Sequence, residues 1–60
     1  MAVQVRLRAY GGEVITRTVV REEDGIVVVC RDAEFVLAGR EGREPRVVGF
    51  PKADVIDSTT

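Results

Sequence analysis

A strict alternation of apolar and polar residues near the start of the chain limits what it can fold into. The apolar positions are Val3, Val5, Leu7 and Ala9, and the positions between or after them are Gln4, Arg6, Arg8 and Tyr10. This period of two is typical of a β-strand with one face buried. The pattern therefore predicts a first strand whose apolar side needs further strands to cover it.

The glycine pair Gly11 and Gly12 follows this strand. Two glycines between β-like segments favour a two-residue hairpin turn, because both tolerate positive φ. A second strand over residues 13–21 is then expected. This turn predicts the pairs Tyr10–Glu13, Ala9–Val14, Leu7–Thr16, Val5–Thr18 and Val3–Val20.

Residues 22–25 are typical of the next turn, with Gly25 in the left-handed conformation. A three-residue loop there predicts a third strand with Glu22 opposite Ile26, Val20 opposite Val28 and Thr18 opposite Cys30. The predicted core face is Val3, Val5, Leu7, Ala9, Val14, Thr16, Thr18, Val20, Ile26, Val28 and Cys30.

The same register leaves four β-branched residues on the other face of the sheet, namely Ile15, Val19, Val27 and Val29. An exposed apolar patch of this kind is unusual for a monomer. We expect either segment 32–42 or a second copy of the chain to cover it. These four residues are thus the predicted self-association surface of a homodimer.

Segment 32–42 has the features of a short helix, with Asp32 as its N-cap and Gly42 at its end. A strand through residues 35–38 is the alternative, because Gly39 weakens a helix by about 1 kcal/mol. Pro45 disfavours helix at the residue before it.

The remainder predicts two short strands, over residues 46–50 and 54–57, with one tight helical turn over residues 51–53 between them. Residues 58–60 are expected to fray. No linker or repeat interrupts the sequence, so we expect one domain over residues 1–60.

Composition narrows the ways in which this small chain can be stabilised. A domain of 60 residues buries only about 60% of its unfolded surface. Cys30 is the single cysteine and histidine is absent, which excludes an internal disulfide and a Cys/His zinc site. We expect Cys30 to be a small buried apolar residue. Oligomerisation remains as the available stabilising device.

The net charge of −1 argues against a broad positive field for nucleic acid. The arginines near the N-terminus are unlike a signal peptide, and no apolar run approaches the roughly 20 residues of a membrane helix. We therefore expect a cytoplasmic location and no membrane partner.

The end of the chain, from Gly49 through Phe50 and Pro51 to Val55, resembles the Gly-x-Phe/Ile-Pro-x-Asn-Tyr-Val ending of SH3 domains. Together with the predicted element order, the resemblance implies a mainly β fold, a five-stranded SH3-like small barrel with a short helical insert between strands 3 and 4. The whole sequence also resembles short bacterial proteins of uncharacterised function.

The chain departs from SH3 domains where they bind proline-rich peptides. It has no tryptophan, and Asp54 stands where the family has a groove tyrosine. Since aromatic walls grip a polyproline helix, the departures argue against that ligand.

The sequence offers little for catalysis. Histidine, the usual group that titrates near neutrality, is absent. Acidic residues lie together at 22–24 and at Glu41 and Glu44, and Ser58 has no histidine to activate it. We expect no enzyme activity, no catalytic residues, no metal site and no cofactor.

The predicted register places Arg6, Arg8, Tyr10 and Arg17 on one face near one end of the first hairpin. A tyrosine among arginines is suited to stacking a base and holding phosphates. The alternative is that the arginine stems shield apolar surface and pair with Glu13, Glu34 or Glu41. These four are the predicted partner-binding residues.

Three functions follow from these features. The first is a non-enzymatic interaction module with a protein partner, self-associating through the apolar face or an edge strand. The second is a small nucleic-acid-binding barrel that uses the Arg/Tyr face, and the third is an accessory subunit of a larger enzyme. Salt dependence separates the first two, because phosphate contacts weaken steeply with ionic strength.

Overall fold

A computed structural model describes residues 3–59, apart from the side chain of Thr59, and it shows a mainly β chain with one helix. The elements are β1 (Gln4–Arg8), β2 (Val14–Glu23), β3 (Ile26–Cys30), α1 (Asp32–Glu41), β4 (Val48–Pro51), a 3₁₀ turn (Lys52–Asp54) and β5 (Val55–Thr59). All five strands pair antiparallel in one sheet of order β4-β3-β2-β1-β5. Strands β4 and β5 lie at the two edges of the sheet and are each paired on one side only, so hydrogen bonding does not close the sheet.

The β1–β2 hairpin has a three-residue loop instead of the predicted two-residue turn. The backbone N–H of Ala9 donates to the Glu13 carbonyl at 2.8 Å, and that of Gly12 donates to the Ala9 carbonyl at 2.9 Å. Gly12 has a φ of 83°, whereas Gly11 is not among the residues with positive φ. This is the pattern of a type I turn closed by a left-handed glycine.

The longer loop shifts the β1–β2 register by one residue. Leu7 lies opposite Ile15 and Val5 opposite Arg17, so the predicted pairs of Leu7 with Thr16 and Val5 with Thr18 are wrong. A shift of one residue moves every side chain of β2 to the other face of the sheet.

The β2–β3 hairpin confirms part of its prediction. Gly25 has the expected positive φ, 78°, and Asp24 has a φ of 47°. Both residues of a two-residue type I′ turn need this conformation. Glu23 therefore pairs with Ile26, and the predicted pairing of Glu22 with Ile26 is wrong.

A β-bulge at Val20 changes the register between the two ends of this hairpin. Thr18 pairs with Cys30, as predicted, and Val19 pairs with Val29. The next pair joins Arg21 to Val28, which leaves Val20 as the extra residue and makes its predicted pairing with Val28 wrong. Such a bulge bends the strand and increases its twist.

The main core contains side chains from every strand. Its fully buried members are Val5, Leu7, Val27 and Val29, and Ile15, Val19, Phe50 and Val55 pack against them. Because both edge strands contribute to this one cluster, the sheet must curl around it.

The predicted second apolar face is therefore not separate from the first. Ile15, Val19, Val27 and Val29 share the interior of Val5 and Leu7, because the loop and the bulge change the register. Val27 and Val29 are only 2% and 1% exposed within a single chain. By contrast Val14, which was predicted to face the core, is 52% exposed.

Segment 32–42 forms the predicted helix, not the alternative strand. Arg31 occupies the N-cap position without a side-chain bond, so the prediction of Asp32 as the cap is wrong. The Asp32 carboxylate instead accepts a hydrogen bond from the buried Thr18 hydroxyl at 3.3 Å. Gly42 ends the helix, as predicted, and its conformation is left-handed, with its N–H donating to the Ala38 carbonyl.

The C-terminal elements follow the predicted order with shifted bounds. The 3₁₀ turn is tied to the β2–β3 hairpin, because the Lys52 N–H donates to the Gly25 carbonyl at 2.8 Å. Ser58 pairs with Val5 and so belongs to β5, as does Thr59, where a frayed tail was expected. Thr60, also assigned to that tail, lies outside the described residues. Over residues 3–59, no helix is both long and apolar enough to cross a membrane.

Candidate binding site

The structure does not bring the four predicted partner-binding residues together. Arg17 lies opposite Val5, on the side of the sheet that faces the core. Arg6 and Arg8 alternate with the inward residues of β1 and point to the other side. Tyr10 belongs to the hairpin loop, and its side chain is fully exposed.

Arg6 is occupied by an ion pair across β1 and β5. Its Nε donates to Asp57 Oδ1 at 2.8 Å, and its Nη2 donates to Oδ2. The paired hydrogen bonds raise the pKa of Arg6 and lower the pKa of Asp57. A guanidinium bound at two points in this way is not available to a ligand without breaking the pair.

Three other arginines line a depression of about 370 Å³, which we call the arginine depression. It lies where β2 begins, β3 ends and α1 starts, beside the segment that leads into β4. Its lining residues are Ile15, Arg17, Val29, Cys30, Arg31, Glu34, Arg46, Val48 and Phe50. The site thus combines an apolar floor with a cationic rim.

The rim arginines form no ion pair among the described residues, and the Arg46 side chain interacts with an acidic group only through the nearby charge of Glu34. The basic side chains found in ion pairs over residues 3–59 are those of Arg6, Arg21, Arg43 and Lys52. Arg17 donates only to a backbone carbonyl, that of Thr16, at 2.8 Å. Their charges are therefore available to an anion.

Glu34, the acidic residue of the depression, is already bound. Its Oε2 accepts a hydrogen bond from Arg43 Nη1 at 2.8 Å and one from the backbone N–H of Arg46 at 2.9 Å. These bonds, Arg43 first, lower the pKa of Glu34 from 4.5 to about 2. The carboxylate holds segment 43–46 against α1 and so fixes the backbone that carries Arg46.

Cys30 is buried, as predicted. Burial raises the pKa of its thiol, and the nearby charges of Glu34 and Asp32 raise it further. The thiol is thus held in its protonated, weakly nucleophilic form at neutral pH. Over the part of the chain that the structure describes, no group of three or more cysteine or acidic side chains is placed to hold a metal ion.

A second depression, of about 280 Å³, adjoins the first and is called here the tyrosine depression. Its lining residues are Arg8, Ala9, Tyr10, Gly49, Phe50, Pro51 and Asp54. Phe50 lines both depressions, so the two adjoin at this residue. Arg8 and Tyr10 therefore remain neighbours, while Arg17 lies on the far side of Phe50.

A third depression, of about 430 Å³, is lined mainly by valines, among them Val5, Val19 and Val27. Its charged residues are Glu22 and Lys52, whose Oε2 and Nζ atoms are 3.8 Å apart. Because these two charges offset each other, this depression has no net charge with which to select a ligand.

Sequence analysis missed Arg31, Arg46 and Phe50 as site residues. Arg31 and Arg46 lie between regular elements, where no periodicity predicts which way a side chain faces. The composition does indicate further candidates for a cationic site, since most of the basic residues are arginines and they are spread along the whole chain.

Comparison with known protein families, with curated proteins and with solved structures finds no match to this chain. The site is therefore interpreted from its own chemistry.

Proposed function

We propose that the chain is a small, non-enzymatic, cytoplasmic interaction module, and that its binding surface is the arginine depression. The observation that carries this proposal is the set of three arginines, Arg17, Arg31 and Arg46, that surround an apolar floor without forming ion pairs with described residues.

The proposal includes an SH3-like architecture. It is supported by the meander of β1 to β3, by the 3₁₀ turn that follows Pro51, and by the packing of Val55 against the core. The helix α1 stands between β3 and β4 as an insert. Tyr10, Pro51 and Asp54 share one depression, but there is no tryptophan to form an aromatic groove.

The titration behaviour of the site supports binding over catalysis. General acid–base catalysis works best with a group whose pKa lies near the operating pH. In the arginine depression, the pKa of Glu34 is lowered to about 2 and that of Cys30 is raised. Neither group is poised to exchange a proton at neutral pH.

The chemistry of the depression defines the ligand class. Guanidinium groups bind carboxylate, sulfonate or phosphate oxygens through paired N–H donors. The floor of Ile15, Val29, Val48 and Phe50 buries an apolar group beside them, at about 25 cal/mol for each Å² removed from water. We therefore expect a ligand that joins an anionic group to an apolar or aromatic one.

The test uses the anionic aromatic dye 1-anilinonaphthalene-8-sulfonate. Its binding is measured by fluorescence, and its position by amide chemical-shift changes in a nitrogen-15-labelled chain. We expect shifts around Cys30, Arg31 and Arg46, and about a tenfold weaker affinity in Arg17→Ala and in Arg46→Ala, as expected for a lost charge-assisted hydrogen bond.

Arg40→Ala is the matched control. Arg40 is an arginine of α1 outside the depression and in no ion pair with a described residue. Its removal should leave the dye affinity unchanged. Shifts confined to the valine-lined third depression, or equal losses in Arg40→Ala and Arg46→Ala, would contradict the proposal.

A further inference from the structure

We infer that the arginine and tyrosine depressions form one continuous surface for single-stranded nucleic acid. This inference rests on the proposed function and names its ligand. The two depressions share Phe50, an aromatic residue that packs against the core and lines the arginine depression on one side and the depression of Arg8 and Tyr10 on the other.

The distribution of unpaired charge supports this surface. The chain has nine basic residues, of which Arg6, Arg21, Arg43 and Lys52 are in ion pairs. Of the others, all but Arg40 line one of the two depressions. A local basic surface therefore exists although the net charge of the whole chain is −1.

Each depression has one acidic residue in its lining, and a larger acidic group lies away from the arginine depression. The turn with Glu22, Glu23 and Asp24 closes the end of β2 farthest from Val14, whereas the arginine depression lies at the start of that strand. A polyanion is consequently attracted to the arginine depression and repelled by the acidic turn.

The aromatic side chains favour nucleic acid over an acidic peptide. Proteins that bind single strands combine a cationic track for phosphates with aromatic rings on which bases stack. Tyr10 is fully exposed at the tip of the hairpin, where burial within the chain does not explain it. Asp54, which lines the tyrosine depression, can accept a hydrogen bond from an N–H group of a base, such as the ring N3–H of thymine.

A duplex fits this surface poorly, because its bases are stacked on one another and are unavailable to Tyr10 and Phe50. Unpaired bases present their faces to such rings. The inference is therefore restricted to single strands.

The test measures the anisotropy of a fluorescein-labelled octathymidylate at several salt concentrations. Each phosphate contact contributes about −0.7 to the slope of log affinity against log salt for a single strand. With three or four contacts, the affinity should fall roughly 20- to 50-fold between about 50 and 200 mM salt.

Two variants separate the contributions of charge and stacking. Arg46→Ala should weaken binding and reduce the salt slope by about 0.7, because it removes one phosphate contact. Tyr10→Ala should weaken binding about tenfold with the salt slope unchanged, because stacking is not ionic. Arg40→Ala and Phe35→Ala are the matched controls, since both side chains lie outside the two depressions, and neither should change the affinity.

The outcomes distinguish this inference from the proposed function. If the dye or a peptide of alternating aspartate and phenylalanine binds in the arginine depression but the octathymidylate does not, the proposed function stands and the inference fails. If none of the three binds, both fail. Equal losses in Arg40→Ala and Arg46→Ala would show only diffuse attraction to the oligonucleotide and would overturn the inference.

Discussion

The two-residue turn between β2 and β3 determines the backbone conformation of Gly25. With a φ of 78°, Gly25 occupies a region that costs other residues roughly 1 kcal/mol. Gly25→Ala should therefore lower the free energy of unfolding by about 1 kcal/mol, although no atom lies within 4 Å of the added Cβ. Urea unfolding measures the change.

Gly39→Ala is the control for this prediction. Gly39 lies inside α1, is not among the glycines of positive φ, and also has open space around an added Cβ. In a helix, alanine is more stable than glycine by about 0.5–1 kcal/mol. The two substitutions should thus change stability in opposite directions, and a destabilising Gly39→Ala would show that added bulk matters more than conformation.

The lowered pKa of Glu34 predicts a pH dependence of stability. Because the pKa is about 2 in the folded chain against an ordinary 4.5, ionisation of Glu34 favours the folded state. This stabilisation is complete above the unfolded value and is lost as the pH falls from 4.5 toward 2. The urea midpoint of the wild type should exceed that of Glu34→Gln near neutrality, and the gap should narrow across this window.

Glu44→Gln is the matched variant for that experiment. Glu44 belongs to the segment that Glu34 holds, but its carboxylate is in no ion pair with a described residue. The urea midpoint of Glu44→Gln should equal that of the wild type at every pH in this window. The pairing of Arg6 with Asp57 also favours an ionised carboxylate, but it is present in all three proteins and so does not affect their differences.

At the scale of elements, the sequence predicts which strands and helices form better than how they pair. Five strands, a helix that ends at Gly42 and a helical turn after Pro51 all occur in the predicted order. Their signals are local, since alternation, glycine and proline act within a few residues.

Register depends on loop length, which the glycine pair leaves undetermined. Gly11 and Gly12 suit a two-residue turn and also a three-residue loop in which only Gly12 has positive φ. Adjacent apolar residues at positions 14–15 and 19–20, and the run 26–29, make both faces of β2 and β3 look suitable for a core. Nothing in the local sequence signals the bulge at Val20.

Two neighbouring substitutions on β2 test the register. Ile15 packs against the core cluster, whereas Val14 is 52% exposed. Ile15→Ala should cost about 2 kcal/mol, at the low end for a buried isoleucine because the residue is only partly buried. Val14→Ala should stay within about 0.5 kcal/mol, as for surface positions. If thermal or urea unfolding showed a larger loss of stability for Val14→Ala than for Ile15→Ala, the register predicted from the two-residue turn would be supported instead.

At the scale of the whole molecule, the candidate site follows from tertiary structure that the sequence does not encode locally. Arg8 and Tyr10 were predicted as site residues from their strand and turn, and they lie together. Arg31 and Arg46 join Arg17 only because α1 and segment 43–46 are brought against the start of β2. A contact between segments far apart in the chain has no periodic signature.

The structure removes the reason to expect self-association through the apolar face. The apolar residues that called for a second copy are covered within one chain, with Val27 only 2% exposed. We therefore expect the melting temperature to be constant over about a hundredfold range of protein concentration, as for a monomer. A melting temperature that rises with concentration would place the contact elsewhere, and the exposed helix residues Phe35, Val36 and Leu37 are then the first to substitute.

Val27→Lys tests the same point without varying concentration. A lysine at this position would place its charge in the core, which is costly without a partner. The variant should be unfolded at every concentration by circular dichroism. Val48→Lys, at a position 60% exposed on the adjacent strand, should fold normally. A different outcome is that the wild type is a dimer and Val27→Lys is a folded monomer. Val27 would then lie at an interface between two chains, and its burial in the core of a single chain would be wrong.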